Sequence, residues 1–109
     1  MEEYNKIVRD NIPTIIENSG FKCETEIVSD EEALLYLYTK LTEEVNEFLE
    51  SKDIHEMADI IEVLYAICDK RKMTRDMLET IRQQKEKENG GFENNIILKK
   101  VYKQEQLND

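Results

Sequence analysis

The sequence predicts a mainly α protein, a helical bundle with a minor two-stranded β ribbon. Three observations carry this. Long stretches repeat apolar residues at the three- and four-residue spacing of one helix face. Each such stretch opens on a capping signal and closes on a break. One Pro and three Gly in 109 residues leave little to interrupt helices.

Asp10-Asn11-Ile12-Pro13 offers the first helix start, since Pro is tolerated in a first turn whose N–H groups have no intrahelical partner. Ile12, Ile15 and Ile16 supply its apolar face, and Ser19-Gly20 end it. Over 21–28, Phe21, Cys23, Thr25 and Ile27 alternate with Lys22, Glu24 and Glu26, which predicts a short strand. Ser29-Asp30-Glu31-Glu32 reads as a capping box. It opens a long helix over 30–50 with the stripe Leu34, Leu37, Tyr38, Leu41, Val45 and Phe48. Asp53, with Glu56 three residues on, starts a helix over 53–70, striped by Met57, Ile60, Ile61, Leu64, Ile67 and Cys68. Thr74 caps a further helix running to Glu88 and stopped by Asn89-Gly90-Gly91. Ile96-Ile97-Leu98 and Val101 predict a second short strand, able to pair with 21–28. The polar tail, 103–109, is expected to fray.

This length suits a single domain over 1–109 with a modest core, to which oligomerisation would add buried area. A formal net charge of −10 argues against a binder of nucleic-acid polymers, which needs a basic face. It leaves room for a single nucleotide held through metal ions. Cys23 and Cys68 form no CxxC or Cys/His cluster; Cys68 falls in an apolar helical pattern as a core thiol, and a reducing cytoplasm is the expected setting. Met1-Glu2-Glu3-Tyr4 is acidic and unlike a signal peptide, and no apolar run approaches membrane-spanning length.

Two acidic clusters stand on consecutive predicted helices: Glu43-Glu44-Val45-Asn46-Glu47, then Glu56-Met57-Ala58-Asp59. Within each, carboxylates at i, i+3 or i, i+4 share a helix face. The break around Ser51-Lys52-Asp53 is so short that the two helices aim four or five carboxylates at one volume. Taken singly, each acid is an ordinary solvated residue, and Glu56 would merely close a capping box with Asp53. Helical geometry, about 100° per residue, instead turns Glu56 between Val63 and Ile67, inside an apolar sector, and sets Glu44 beside Leu37. Buried like charges are costly unless a cation binds between them. An all-oxygen set suits Mg²⁺ or Mn²⁺ rather than Zn²⁺.

Glu43-Glu44-x-x-Glu47 followed by Glu56-x-x-Asp59 resembles the EExxE…ExxD signature of the all-α nucleotide pyrophosphohydrolases, which include MazG-like enzymes, dimeric dUTPases and phosphoribosyl-ATP pyrophosphohydrolases. Tyr4-Asn5-Lys6-Ile7-Val8-Arg9-Asp10-Asn11-Ile12-Pro13 resembles the YNKLVRDKIP-like opening of a small MazG-like subgroup labelled phosphoribosyl-ATP pyrophosphohydrolase-like. Lys85-x-x-x-Asn89-Gly90-Gly91-Phe92 resembles its closing KxxxRGGF element, so the likeness spans nearly the whole chain. Two departures stand out. The interval from Glu47 to Glu56 is short for the broad superfamily, and Asn89 replaces the subgroup's usual Arg, removing a phosphate contact.

The resemblance implies a MazG-like helical bundle assembled as a homo-oligomer, dimer or tetramer. It implies Mg²⁺-dependent hydrolysis of a nucleoside triphosphate between the α- and β-phosphates, to monophosphate and pyrophosphate. On that reading Glu44, Glu47, Glu56 and Asp59 are metal ligands, and Glu43 is a further ligand or positions water. Glu43, Glu44 and Glu47 form the catalytic set. Lys6, Arg9 and Lys85 are the substrate-binding candidates, Arg for bidentate phosphate contacts; the alternative for Lys6 and Arg9 is an ion pair with the Glu-rich surface. Asp10 either anchors Arg9 or caps the first helix. Arg82 is a weaker candidate, His55 is expected at the surface beside the acids, and Tyr36, Tyr38 and Tyr65 belong to core or interface. Two other functions share these residues: phosphoribosyl-ATP hydrolysis in histidine biosynthesis, and a non-catalytic metal-binding helical interaction protein.

Overall fold

Four capping and stopping signals set the architecture. Ser29 Oγ accepts a hydrogen bond from the Glu32 N–H at 3.2 Å, and Thr74 Oγ1 accepts one from the Met77 N–H at 3.1 Å. Each satisfies an amide that the helix itself leaves without a partner. Lys52, in the left-handed region at φ 59°, ends one helix, and Gly90, at φ 82°, ends another. A computed structural model describes residues 4–105. Among them are four helices: α1 (Ile12–Asn18), α2 (Asp30–Ser51), α3 (His55–Lys70) and α4 (Arg75–Asn89). The boundaries expected from periodicity hold to within two residues. Residues 1–3, which include the start of the acidic N-terminus, and 106–109, most of the predicted tail, lie outside the described residues.

Three residues separate α2 from α3, so the two fold back into a hairpin and pack along each other. α4 touches α3 alone, and α1 packs on no other described helix. The buried apolar side chains are Ala33, Leu37, Val63 and Cys68, all on α2 or α3. Cys68 is the core thiol its pattern predicted, and both cysteines are free. No helix among the described residues is long and apolar enough to cross a membrane.

The mainly α expectation is met, but the β ribbon does not form among the described residues. Residues 21–28 and 96–101 run without regular structure, and Ile27, Ile96 and Leu98 are almost wholly exposed. A two-stranded ribbon with neither a third strand nor a helix over its apolar face is marginal in water; here Cys23 rests against Pro13 and Glu17 of α1, while Ile27, Ile96 and Leu98 face solvent. Two local caps also differ from expectation. α1 begins after Asn11 without a side-chain cap, so Asp10 does not cap it. Asp53 Oδ1 accepts from the N–H and Nδ1 of His55, both at 2.9 Å, while its own N–H goes to Ser51 Oγ at 3.1 Å. The Asp53 amide is therefore engaged by Ser51, and no capping box with Glu56 forms.

Candidate metal centre

The hairpin brings the two acidic clusters together. Glu44 is buried on the α2 face turned toward α3, and Glu47, one turn on, is exposed beside it and outside the cross-helix group; Glu56 and Asp59, one turn apart, lie on α3 near its start. Glu43, Glu44 and Glu47 each present a carboxylate oxygen within 4.8 Å of the others. Glu44, Glu56 and Asp59 do the same across the two helices, also within 4.8 Å. Glu44 belongs to both groups and is the one buried acidic residue among those described, 7% exposed. Its burial follows from the sector it shares with Leu37, itself buried.

The electrostatics match this crowding. The Glu47 carboxyl is raised above its ordinary value, chiefly by the negative charge of Glu44, then by burial. Glu56 is raised too, first by burial and then by Asp59. Three cations hold the cluster from outside. Lys6 Nζ lies 3.0 Å from Glu43 Oε1, Arg9 Nη2 lies 2.6 Å from Asp59 Oδ1, and Lys40 Nζ lies 3.4 Å from Glu44 and 3.9 Å from Glu43. The hydrogen bond to Glu43 in turn raises the Lys6 pKa. These ammonium and guanidinium groups contact Glu43, Glu44 and Asp59, while Glu47 and Glu56 make no ion pair with a described residue.

The donors fit a hard divalent cation: every ligand-ready atom is a carboxylate oxygen, and the set holds no His or Cys. A dication placed here would relieve the repulsion that lifts Glu47 and Glu56.

Lys6 and Arg9 thus sit at the cluster as ion pairs, the alternative their sequence left open. They are carried there by the irregular N-terminal segment, across 37 and 50 residues of chain. Lys85 on α4 is exposed and takes part in none of the cluster's ion pairs. Arg82 is engaged by Glu79 and Glu86 on its own helix, which hold its pKa up. His55 is exposed and bound to Asp53. Tyr65 lies under the Arg75 guanidinium, 4.3 Å from ring centroid to Cζ. Lys40 was not singled out from the sequence, although its i, i+4 spacing to Glu44 carried the signal. Beside it, Asn5, Lys6, Tyr36, Thr39 and Glu43 line a shallow cleft at the edge of the cluster.

No protein-family model, no curated protein and no solved structure matches this chain.

Proposed function

We propose that the chain is a Mg²⁺-dependent nucleoside triphosphate pyrophosphohydrolase, cleaving between the α- and β-phosphates to release monophosphate and pyrophosphate. The observation that carries this reading is the pair of carboxylate groups sharing Glu44 across the α2–α3 hairpin, together with the sequence likeness of the same residues to the EExxE…ExxD enzymes. MazG-like bundle architecture and a cytoplasmic setting belong to the same reading.

On this reading the roles divide among the clustered residues. Glu44, Glu47, Glu56 and Asp59 hold the cation, Mg²⁺ first and Mn²⁺ as a substitute. When bound, that ion would neutralise phosphate charge and lower the pKa of a coordinated water. In this reading Glu43, at the edge of the cluster and paired with Lys6 and Lys40, orients water or takes its proton. Arg9 now neutralises Asp59, which the cation would neutralise instead, so its arrival frees Arg9 for phosphate oxygens, with Lys6 beside it on Glu43. The negative chain itself makes metal a precondition for binding a polyanion. Base preference is the open variable, and the shallow cleft beside Lys6 and Tyr36 is where a base would lie.

Incubating the full chain with Mg²⁺ and a panel of common and oxidised NTPs and dNTPs, plus phosphoribosyl-ATP, tests this. Monophosphate with pyrophosphate from any member supports the reading and ranks the substrates. Diphosphate with orthophosphate, or no product with either Mg²⁺ or Mn²⁺, overturns it.

A further inference from the structure

Two of the three cations at the acidic cluster do not belong to the hairpin. Lys40 rises from α2 itself, one turn before Glu44, and stays within its reach whatever else binds. Lys6 and Arg9 come from residues 4–9, which run without regular structure ahead of α1. α1 packs on no other described helix, so no helix packing pins them.

This segment is held at three points. Ile7 is half-buried, whereas the rest of 4–10 is exposed, and it lines the shallow cleft with Tyr36, Thr39 and Lys40. Just before it, Lys6 Nζ lies 3.0 Å from Glu43 of α2; just after it, Arg9 Nη2 lies 2.6 Å from Asp59 of α3. The segment is thus a strap that bridges both helices at the cluster.

The two clasps respond differently to a metal ion. Glu43 stands outside the cross-helix group, whereas Asp59 is a member of it with Glu44 and Glu56. The charge that Arg9 neutralises is therefore one that a cation between α2 and α3 needs. Arg9 and Asp59 are both about half-exposed, so their pair adds little to the fold and exchanges at small cost. Exchange takes Asp59 from the guanidinium and leaves a dication beside it. A metal ion arriving alone meets that repulsion. One arriving with a polyphosphate brings oxygens to which the guanidinium can donate.

From this geometry we infer that Arg9 is a specificity-determining residue: it disfavours a free divalent cation and selects a metal–polyphosphate complex. Lys6 and Ile7 keep the strap on α2 while Arg9 changes partner. This selection presupposes the metal centre proposed above and adds which form of the metal it takes.

The variant Arg9→Ala should move two affinities in opposite directions. It removes a positive charge beside the cation, so free Mn²⁺ should bind about tenfold more tightly, the effect of one unit charge near a dication in a water-like dielectric. It also removes a charge-assisted contact, so the Mn²⁺–pyrophosphate complex should bind about tenfold more weakly. Arg9→Lys keeps the charge and should leave free Mn²⁺ binding unchanged, while restoring only part of the pyrophosphate affinity. A residue that merely held the fold together would weaken both affinities. One that only touched phosphate would leave free Mn²⁺ unmoved.

Calorimetric titration of the full chain with Mn²⁺, alone and with inorganic pyrophosphate, reads these affinities, with helical circular dichroism as the folding control. Free Mn²⁺ bound no more tightly by Arg9→Ala than by the unaltered chain overturns the inference and leaves the metal centre standing. No Mn²⁺ binding by either chain overturns both. Trypsin supplies a test on the unaltered chain alone, so a variant that misfolds does not shelter the proposal. Cleavage after Arg9 should quicken several-fold on adding Mn²⁺, measured against cleavage after the exposed Lys99 and Lys100. An unchanged ratio contradicts release of the strap.

Discussion

A carboxylate at 7% exposure, with the Lys40 ammonium 3.4 Å away and four further acids around it, is an expensive thing to keep in a small core. Glu44 is the residue that both carboxylate groups share. Glu44→Gln preserves its shape and removes its charge. The expected outcome is a loss of Mg²⁺-dependent stabilisation and a fall in turnover of about 10²-fold or more, with helicity unchanged; metal-titrated melting and initial rates check it. Glu47 and Glu56 make the pH dependence. Their folded-state pKa values lie above the ordinary 4.5, so just above that pH the folded chain binds more protons than the unfolded one. Their contribution favours the fold at low pH and is lost as pH rises through the raised values. In metal-free protein, Glu56→Gln should therefore raise the melting temperature at neutral pH and leave it nearly unchanged below pH 4.5. A difference that does not grow with pH would contradict this. Arg9→Ala tests the phosphate role. Its pair with Asp59 is largely solvent-exposed, so stability should move little, while KM for the triphosphate rises by about tenfold.

The helices were legible because each carries independent signals that agree. Ser29 and Thr74 mark starts, Gly90 marks a stop, and the apolar stripes between them have helical spacing. Ser29→Ala or Thr74→Ala should each cost about 1 kcal/mol, measured by denaturant titration. Gly90→Ala should cost a similar ~1 kcal/mol; nothing crowds an added Cβ there, so the penalty comes from φ 82° alone. The ribbon was not legible in the same way. Alternation over 21–28 reports an extended backbone with two different faces, but says nothing about which surface covers the apolar one. The candidate site divides similarly. The i, i+3 acids specify faces of two helices, and a three-residue turn leaves them nowhere to go but toward each other. Lys6 and Arg9 arrive from irregular chain, where no periodicity says which way a side chain turns. Lys40 sits on the edge of an apolar stripe, where a lysine reads as solvated unless its i, i+4 acid is known to be buried.

At the scale of the molecule, the radius of gyration is 20.9 Å, against about 13 Å for a compact domain of this length. The chain's core is a single helical seam, and many of its large apolar side chains face water. Such a protein gains by binding whatever prefers its folded form. Mg²⁺ at a hundredfold excess over its dissociation constant should add about 2.7 kcal/mol of stability, read as a melting temperature that falls on chelation and recovers on adding Mg²⁺ back. Catalysis, metal and charge meet in one comparison: pyrophosphate release by the unaltered chain and by Glu44→Gln, each after chelation and again after Mg²⁺ is restored. Release by the unaltered chain is expected to vanish on chelation and return with Mg²⁺, with no recovery in Glu44→Gln. Release that survives chelation, or a Glu44→Gln chain as active as the unaltered one, would contradict it.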